Sequence, residues 1–340
     1  ELCALVDSAG PGSDPLLIDL SECTGFETVA LAMLVQALME ARNRGADVTT
    51  TGAQAELASR IESLTRDAAD YRKPAKPGGF RHGMIQIGEK VDSMLMTLKG
   101  LAVFASGTFR AVARIRTNPR LLRVRQTLYY MEQAGVDAVP IIAMLCWLLG
   151  VVLGFQAGYQ LKNFAAETFM PDLIAYSMTW EIGPLLAAVM VAGRSGSAFA
   201  AELGTMKVRQ ETDALTVMGM DIWSYLVTPK MLALMVVMPF LVLLADFFGL
   251  LGGLLIGGWY LDMPAHMYIS RLALVVIPMD IWWGMLKSLV YAVIISNVGC
   301  YMGMRVRGGA AEVGRATTSA VVTSIFLVIV ADASISLIFV

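Results

Sequence analysis

Four ionisable residues stand inside otherwise apolar runs: Glu181, Asp246, Lys287 and Asp332. An unpaired charge at such a position costs roughly 2.5 kcal/mol or more in hydrocarbon, so it faces a cavity or a partner and marks a path for a polar group. Lys287, Asp246 and Asp332 are of the right kind to pair across helices, which offsets their desolvation. A second polar group, Glu202, Gly204, Thr205, Met206 and Lys207, lies in the segment between Arg194 and Lys230. The usual catalytic sets are missing. His82 and His266 are the only histidines, and Cys3, Cys23, Cys146 and Cys300 lie far apart without a Cys-x-x-Cys pair. That argues against a metal centre and against a disulfide framework. Gly83-x-x-x-x-Gly88-Glu89-Lys90 approaches a phosphate-binding loop and misses it: the lysine is displaced by one, no Ser or Thr follows, and no strand precedes. Asp246 and Asp332 lie on different apolar runs without a flanking motif for intramembrane proteolysis.

The elements that must position these residues are long. Apolar runs cover Ala138–Leu161, Leu173–Gly193, Met231–Leu261, Ile281–Met304 and Ala316–Val340, each enough to cross a hydrocarbon core of ~30 Å at ~1.5 Å per residue. The third run is long enough to be divided in two, and charge decides against it. Lys99, Arg110, Arg114, Arg116, Arg120, Arg123 and Arg125 precede the first run without an intervening acid. Arg194, Lys207, Arg209 and Lys230 follow the second run, and Arg305, Arg307 and Arg315 follow the fourth. Basic flanks stay cytoplasmic; five spans put all of these on one side, and six do not. Val91–Val112 carries Lys99 and ends in arginines, which predicts a helix lying in the cytoplasmic interface, with Arg110, Arg114, Arg116 and Arg120 meeting anionic head groups rather than nucleic acid. Gly150, Gly154 and Gly158 on the first run, and Gly249, Gly253 and Gly257 on the third, form small-residue faces for close helix packing, within one subunit or across a dimer.

Of the 340 residues, 56% are hydrophobic and only 16% charged, against about a quarter charged in soluble chains; the mean hydropathy is +0.63. The net charge of −2 conceals two unlike parts, because residues 1–80 hold 12 acids and 7 bases. In that acidic part, Leu16–Ser21 and Asp47–Gly52 read as strands, and Glu27–Arg44 and Ala55–Leu64 as amphipathic helices, an α/β order. Tyr71–Gly79 follows as a Pro/Gly linker. The reading is of a soluble module over 1–70, a linker over 71–90, interfacial and connecting helices over 91–135 and five spans over 136–340.

Asp19-Leu20-Ser21, Phe26-Glu27-Thr28, Gly45 and Val48–Gly52 resemble the STAS domain pattern. Thr28 falls where that family has a phosphorylatable or partner-contacting hydroxyl, although Glu27-Thr28-Val29 replaces its Asp-Ser/Thr-Gly; the same threonine also reads as a helix N-cap. A more extensive likeness runs from about residue 95 to the C-terminus. Glu181-Ile182-Gly183-Pro184, Ala192-Gly193-Arg194-Ser195-Gly196-Ser197-Ala198, Ala201–Lys207, Asp213-Ala214-Leu215-x-x-Met218-Gly219, Leu286-Lys287-Ser288, Gly308-Gly309-Ala310 and Val313–Thr318 resemble the MlaE family, permease subunits of bacterial lipid-transporting ABC systems. That resemblance implies a mainly α, five-span permease of the bacterial inner membrane, with its N-terminal domain cytoplasmic and its C-terminus periplasmic. It implies a homodimer that binds no cofactor of its own, a separate ABC ATPase that binds ATP and Mg, and a periplasmic MCE-domain partner. The cargo is phospholipid or a related lipid. Glu202, Gly204, Thr205, Met206 and Lys207 fall where the family couples to its ATPase, and Glu181 near the lipid path, which Leu149, Val152, Leu153 and Leu185 would line. Two other classes stay open: a STAS-regulated secondary transporter, and a non-transporting membrane anchor for an ATPase.

Overall fold

The computed structural model describes residues 16–19, 48–51, 79–117 and 123–339, with single positions at 35, 36, 59, 61, 63 and 64. It divides into two compact units, residues 1–91 and 92–340. In the first, β1 (Leu16–Asp19) and β2 (Val48–Thr51) pair in parallel, Leu16 opposite Val48 and Asp19 opposite Thr51. Parallel strands need a crossover connection, and the two strands coincide with those expected from the alternation of the sequence. Positions 35, 36, 59, 61, 63 and 64 are helical, with Val35 and Ile61 buried. Thr28 and most of the two expected helices lie outside the described residues.

Helix α1 (Gly79–Thr117) is a single helix of 39 residues. It starts well before Val91, so residues 79–90, expected as linker, are helical. Within the second unit its buried face carries Phe104, Thr108 and Ala111. The Phe104 ring lies 6.1 Å from that of Trp223 and 5.7 Å from that of Tyr301. Five helical stretches are long and apolar enough to cross a membrane: Val124–Lys162, Glu167–Val208, Trp223–Tyr260, Pro278–Met304 and Ala310–Ile338. Helix α1 is not among them.

The first span joins α2 (Val124–Gly135) to α3 (Val139–Lys162). The second is compound: α4 (Met170–Ser177), a π segment Met178–Ile182, α5 (Gly183–Val191), a second π segment Ala192–Gly196, and α6 (Ser197–Val208). After a left-handed turn at Gln210 comes the short α7 (Glu211–Val217). A π turn, Trp223–Val227, leads into α8 (Thr228–Tyr260), which runs unbroken through Pro239. The third apolar run is therefore one span. Helices α9 (Ala265–Val275), α10 (Pro278–Met304) and α11 (Ala310–Phe339) complete the chain. Pro278 opens α10 where its missing N–H costs nothing, and the Asp280 carboxylate accepts the Ile277 N–H at 3.1 Å.

Helices α8 and α10 form the centre, α8 against α2, α3 and α10, and α10 against α6, α8 and α11. Their buried positions, among them Leu234, Met238, Ala245, Tyr291 and Ile295, meet Ile142, Met178, Ala188 and Leu203 in one core. Small residues set the spacing. A Cβ on Gly150 would strike the Gly249 carbonyl, and one on Gly154 would stand 3.3 Å from Gly253 Cα. The two glycine faces thus meet each other, and the seam is internal to the chain. Gly158 continues it against Leu261 and Tyr260. A second seam joins α6 to α10: a Cβ on Gly299 would lie 2.6 Å from the Gly196 carbonyl, and one on Gly303 2.7 Å from that of Ala200. The small residues after Arg194, expected as a loop, are small because a helix packs there.

Candidate functional site

Lys287 is the hub of the intramembrane charges. It is 3% exposed, and Tyr291 lies one turn on along α10. Asp332 and Ser336 hold the same spacing on α11. The Lys287 ammonium donates to the Asp332 carboxylate at 3.1 Å, the Glu181 carboxylate at 3.1 Å, Ser336 Oγ at 2.8 Å and the Trp180 carbonyl at 2.8 Å. Three N–H groups thus serve four acceptors, and every proton is used. The Trp180 carbonyl is open because Pro184, four residues on, has no N–H to give it. The Tyr291 hydroxyl donates to Asp332 at 2.6 Å, and the Ser336 hydroxyl to Glu181 at 2.6 Å. Asp332 is enclosed at 11% exposure, whereas the Glu181 side chain is 41% exposed. Glu181 is the open edge of a closed network. Counting from Pro278, Lys287 lies roughly 13 Å along its span at ~1.5 Å per residue.

Asp246 takes no part. It is buried on α8, facing Gly183 on α5, and its Oδ1 has no hydrogen-bond partner among the described residues. The expected pairing with Lys287 fails because the ammonium is already saturated by groups from span two and α11.

A second network ties the other end of span two. Lys230 is fully enclosed; its ammonium donates to Tyr130 Oη at 2.7 Å and to Glu202 at 3.0 Å, and Tyr130 donates to Glu202 at 2.7 Å. The cation lies 4.1 Å above the Tyr130 ring, whose edge meets Phe199, an arrangement that adds cation–π attraction to the ion pair. Helices α2, α6 and α8 are joined here. Gly204 is also packed inward, 3.1 Å (from a built Cβ) from Val306 and close to Val313. Thr205 is exposed, Met206 and Lys207 are half-buried, and Lys207 pairs with Asp213 of α7 at 2.6 Å. Beyond them the surface turns apolar, with Val217 at 88% and Met218 at 62% exposure. Of the five residues expected to meet an ATPase, Glu202 and Gly204 are engaged within the subunit. The outward surface belongs to Thr205 and α7. The sequence carries no mark of Tyr130 or Phe199 as partners of Lys230; only the position of Lys230 at the mouth of an apolar run hinted at it.

At the α9 end, Arg271 grips Asp172 with two parallel hydrogen bonds of 3.1 and 2.9 Å, fixing α9 to α4. Tyr268 donates to the Leu250 carbonyl at 3.1 Å, and burial pushes its phenol far above the usual range. Between α3 and α4 near this end lies a groove of about 280 Å³, lined by Leu153, Gln156, Gln160, Leu173 and Ser177 among others. Of the expected lipid-path residues, Leu153 lines it; Val152 is exposed beside it, and Leu149 and Leu185 are half-buried. Arg110 is exposed and Arg114 pairs with Asp221 at 3.5 Å; the side chain of Arg116 and all of Arg120 lie outside the described residues. No cluster of three or more metal-ligating side chains occurs among the described residues.

The family profile described as "Permease MlaE" matches residues 127–338. A protein of Rickettsia bellii named "Probable ABC transporter permease protein" is 35% identical over 246 residues, 72% of this chain and 93% of that one. One of Synechocystis sp. with the same description is 35% identical over 208 residues, 61% of this chain and 79% of its own length. "Protein TRIGALACTOSYLDIACYLGLYCEROL 1, chloroplastic" of Arabidopsis thaliana is 33% identical over 208 residues, 61% of this chain and 59% of its own.

Proposed function

The chain belongs to the MlaE permease family, and we propose that it is the membrane subunit of an ABC system that moves phospholipid or a related lipid between the bacterial inner membrane and a periplasmic MCE-type lipid-binding partner. An ABC permease works in the membrane with an ATPase, and the five apolar spans agree with that. The ATPase, not this chain, binds ATP and Mg. The lipid cargo is supported by the name of the Arabidopsis relative, which is that of a glyceroglycolipid. Two copies enclose the lipid path: α11 is the least buried of the five spans within one subunit, with 11% of its apolar window buried, and has room for a second copy.

The observation that carries the reading is the Glu181 carboxylate, held by Lys287 and Ser336 on one side and open on the other. A permease for an amphipathic molecule needs a polar point in an apolar wall, fixed in place without being sealed. Glu181 meets that need, and the groove beside Leu153 shares span two with it. The basic flanks support a cytoplasmic α7, with Thr205, Val217 and Met218 facing the ATPase and α9 facing the periplasm, and a cytoplasmic N-terminal unit goes with that reading. The parallel strand pair fits a STAS-like module, with Thr28 as its contact or phosphorylation residue.

The test is ATP-dependent lipid transfer in vesicles that hold the reconstituted permease–ATPase complex and its MCE partner. Glu181→Gln should fold normally and lose most of the transfer rate. Wild-type transfer by this variant would remove Glu181 from the path; transfer without ATP would remove the ABC reading.

A further inference from the structure

At the α7 end of the second unit a groove of about 660 Å³ opens between the start of α2, the end of α6 and the π turn before α8, lined by Arg123, Arg125, Gln126, Tyr129, Met206 and Tyr225 among others. Its polar groups are incomplete in a consistent way. The Arg123 guanidinium lies 3.8 Å above the Tyr225 ring centroid. Stacking occupies the guanidinium face and leaves the N–H edge to be satisfied, yet Nη1 is buried with no hydrogen-bond partner. Gln126 Oε1 is likewise buried and unpartnered, while its amide donates only a long 3.5 Å bond to Tyr130. Helix α2 starts here without a side-chain cap and without an acid in its first turn, so its dipole favours an anion.

The charge balance points the same way. The acid on the groove wall is Glu202, and it is already matched by Lys230. Neither Arg123 nor Arg125 has a carboxylate partner among the described residues, so two guanidinium charges line the groove uncompensated. Arginine is suited to an oxygen-rich anion because its planar fork offers parallel donors. The surroundings name the source of that anion. Val124 opens the first span, and Val124, Leu128 and Tyr129 are exposed on α2 at 53, 56 and 59%. An apolar strip leading from a cationic groove at a membrane boundary matches a head group continuing into acyl chains.

We propose that this groove binds the phosphate of a glycerophospholipid from the leaflet at the α7 end, with Arg123 and Arg125 on the phosphate. Gln126 Oε1 accepts a hydrogen bond from the ethanolamine or glycerol of the head group, and the acyl chains lie along α2. The site lies at the α7 end of span two, away from Glu181, which stands inside the span. It requires only that the chain spans a membrane, not that it transports lipid.

The experiment is native mass spectrometry of the full-length chain, extracted from vesicles of phosphatidylethanolamine and phosphatidylglycerol and delipidated stepwise in detergent. The wild type should retain a phospholipid that Arg123→Ala loses with about tenfold weaker retention, the worth of one charge-assisted hydrogen bond. Because Arg123→Ala also removes the Tyr225 stack, the nearly isosteric Gln126→Glu provides an independent arm: it should fold with an unchanged melting temperature and lose lipid through repulsion. Arg315→Ala, an exposed arginine at the same end, should retain lipid as the wild type does. Excess inorganic phosphate separates the sources. Lipid held in its presence supports the head-group site, whereas displacement by free phosphate overturns it in favour of a soluble anion. Equal retention by wild type, Arg123→Ala and Gln126→Glu overturns the proposal altogether.

Discussion

Replacing Lys287 by methionine removes the ammonium from the intramembrane network and leaves an unbranched apolar side chain shorter by one heavy atom. Its two ion pairs share the same 3.1 Å separation, yet they should contribute unequally. Asp332 is 11% exposed and keeps only the Tyr291 hydroxyl when Lys287 is gone. Breaking an enclosed pair in this way costs about 3–5 kcal/mol, because the remaining charge stays buried. The Glu181 side chain is 41% exposed, so solvent or head groups replace most of what it loses, and its share is under about 1 kcal/mol. The Trp180 carbonyl also loses its donor, a smaller loss of about 1 kcal/mol. The Asp332 arm therefore dominates.

The assay is a double-mutant cycle on the purified chain, unfolded by SDS in mixed micelles and followed by tryptophan fluorescence. Lys287→Met should lower stability by about 3–5 kcal/mol. Its coupling to Asp332→Asn should reach about 2 kcal/mol, and its coupling to Glu181→Gln should stay below about 1 kcal/mol. Equal couplings would refute the exposure argument. A total loss near ~0.6 kcal/mol, the average for interhelical hydrogen bonds in a membrane protein, would refute the ionic character of the pair.

Other expectations follow from the contacts. Glu202→Lys places a second ammonium against the fully enclosed Lys230 and should destabilise the chain by more than about 3 kcal/mol; cell-free expression into nanodiscs, scored by gel filtration, checks this, with Glu202→Gln as the milder comparison. Val217→Asp alters a residue that is 88% exposed on α7, so it should lower ATPase co-purification at an unchanged permease melting temperature. Gly150→Ala drives a methyl group into the Gly249 carbonyl and should cost about 1–3 kcal/mol, whereas Gly193→Ala, with nothing within 4 Å of a Cβ, should be neutral or slightly stabilising in the same thermal assay.

The number of spans was legible because an apolar run and a basic flank are local signals, and each is complete in the sequence. The ends of the spans were not. Residues 194–208 look like a loop, with Arg194, three serines or threonines and several alanines and glycines. They form a π turn and α6 because Gly196 and Ala200 lie against Gly299 and Gly303, a pairing of positions about a hundred residues apart. Separations of 72 and 100 residues hide Tyr130 from Glu202 and Lys230. Lys287 and Asp332 were recognisable as a pair from their cost in hydrocarbon. Asp246 has the same cost, and periodicity alone does not say which acid the single lysine selects. In the fold, Asp332 and Ser336 of α11 and Trp180 and Glu181 of span two take every proton of the ammonium, which leaves none for Asp246.

Two buried lysines hold span two, Lys287 of α10 at Glu181 and Lys230 of α8 at Glu202. Between them lie the end of one π segment, α5 and a second π segment. A π turn carries one residue more than an α turn and is the weaker geometry, so span two can change its twist there at less cost than a uniform helix would require. Helices α8 and α10 are central and packed on several sides, and so provide the fixed frame for both lysines. Under the proposed function, a displacement delivered at α7 enters α6 directly, since Lys207 is bound to Asp213, and meets the Glu202–Lys230 contact first. On that proposal, what passes beyond that contact would be carried through the π segments as twist and reach Glu181 as a rotation against Lys287. Under the same proposal, such a rotation would move the half-exposed carboxylate against its one buried cation. That is the property required of a residue that holds a lipid in one state and releases it in another.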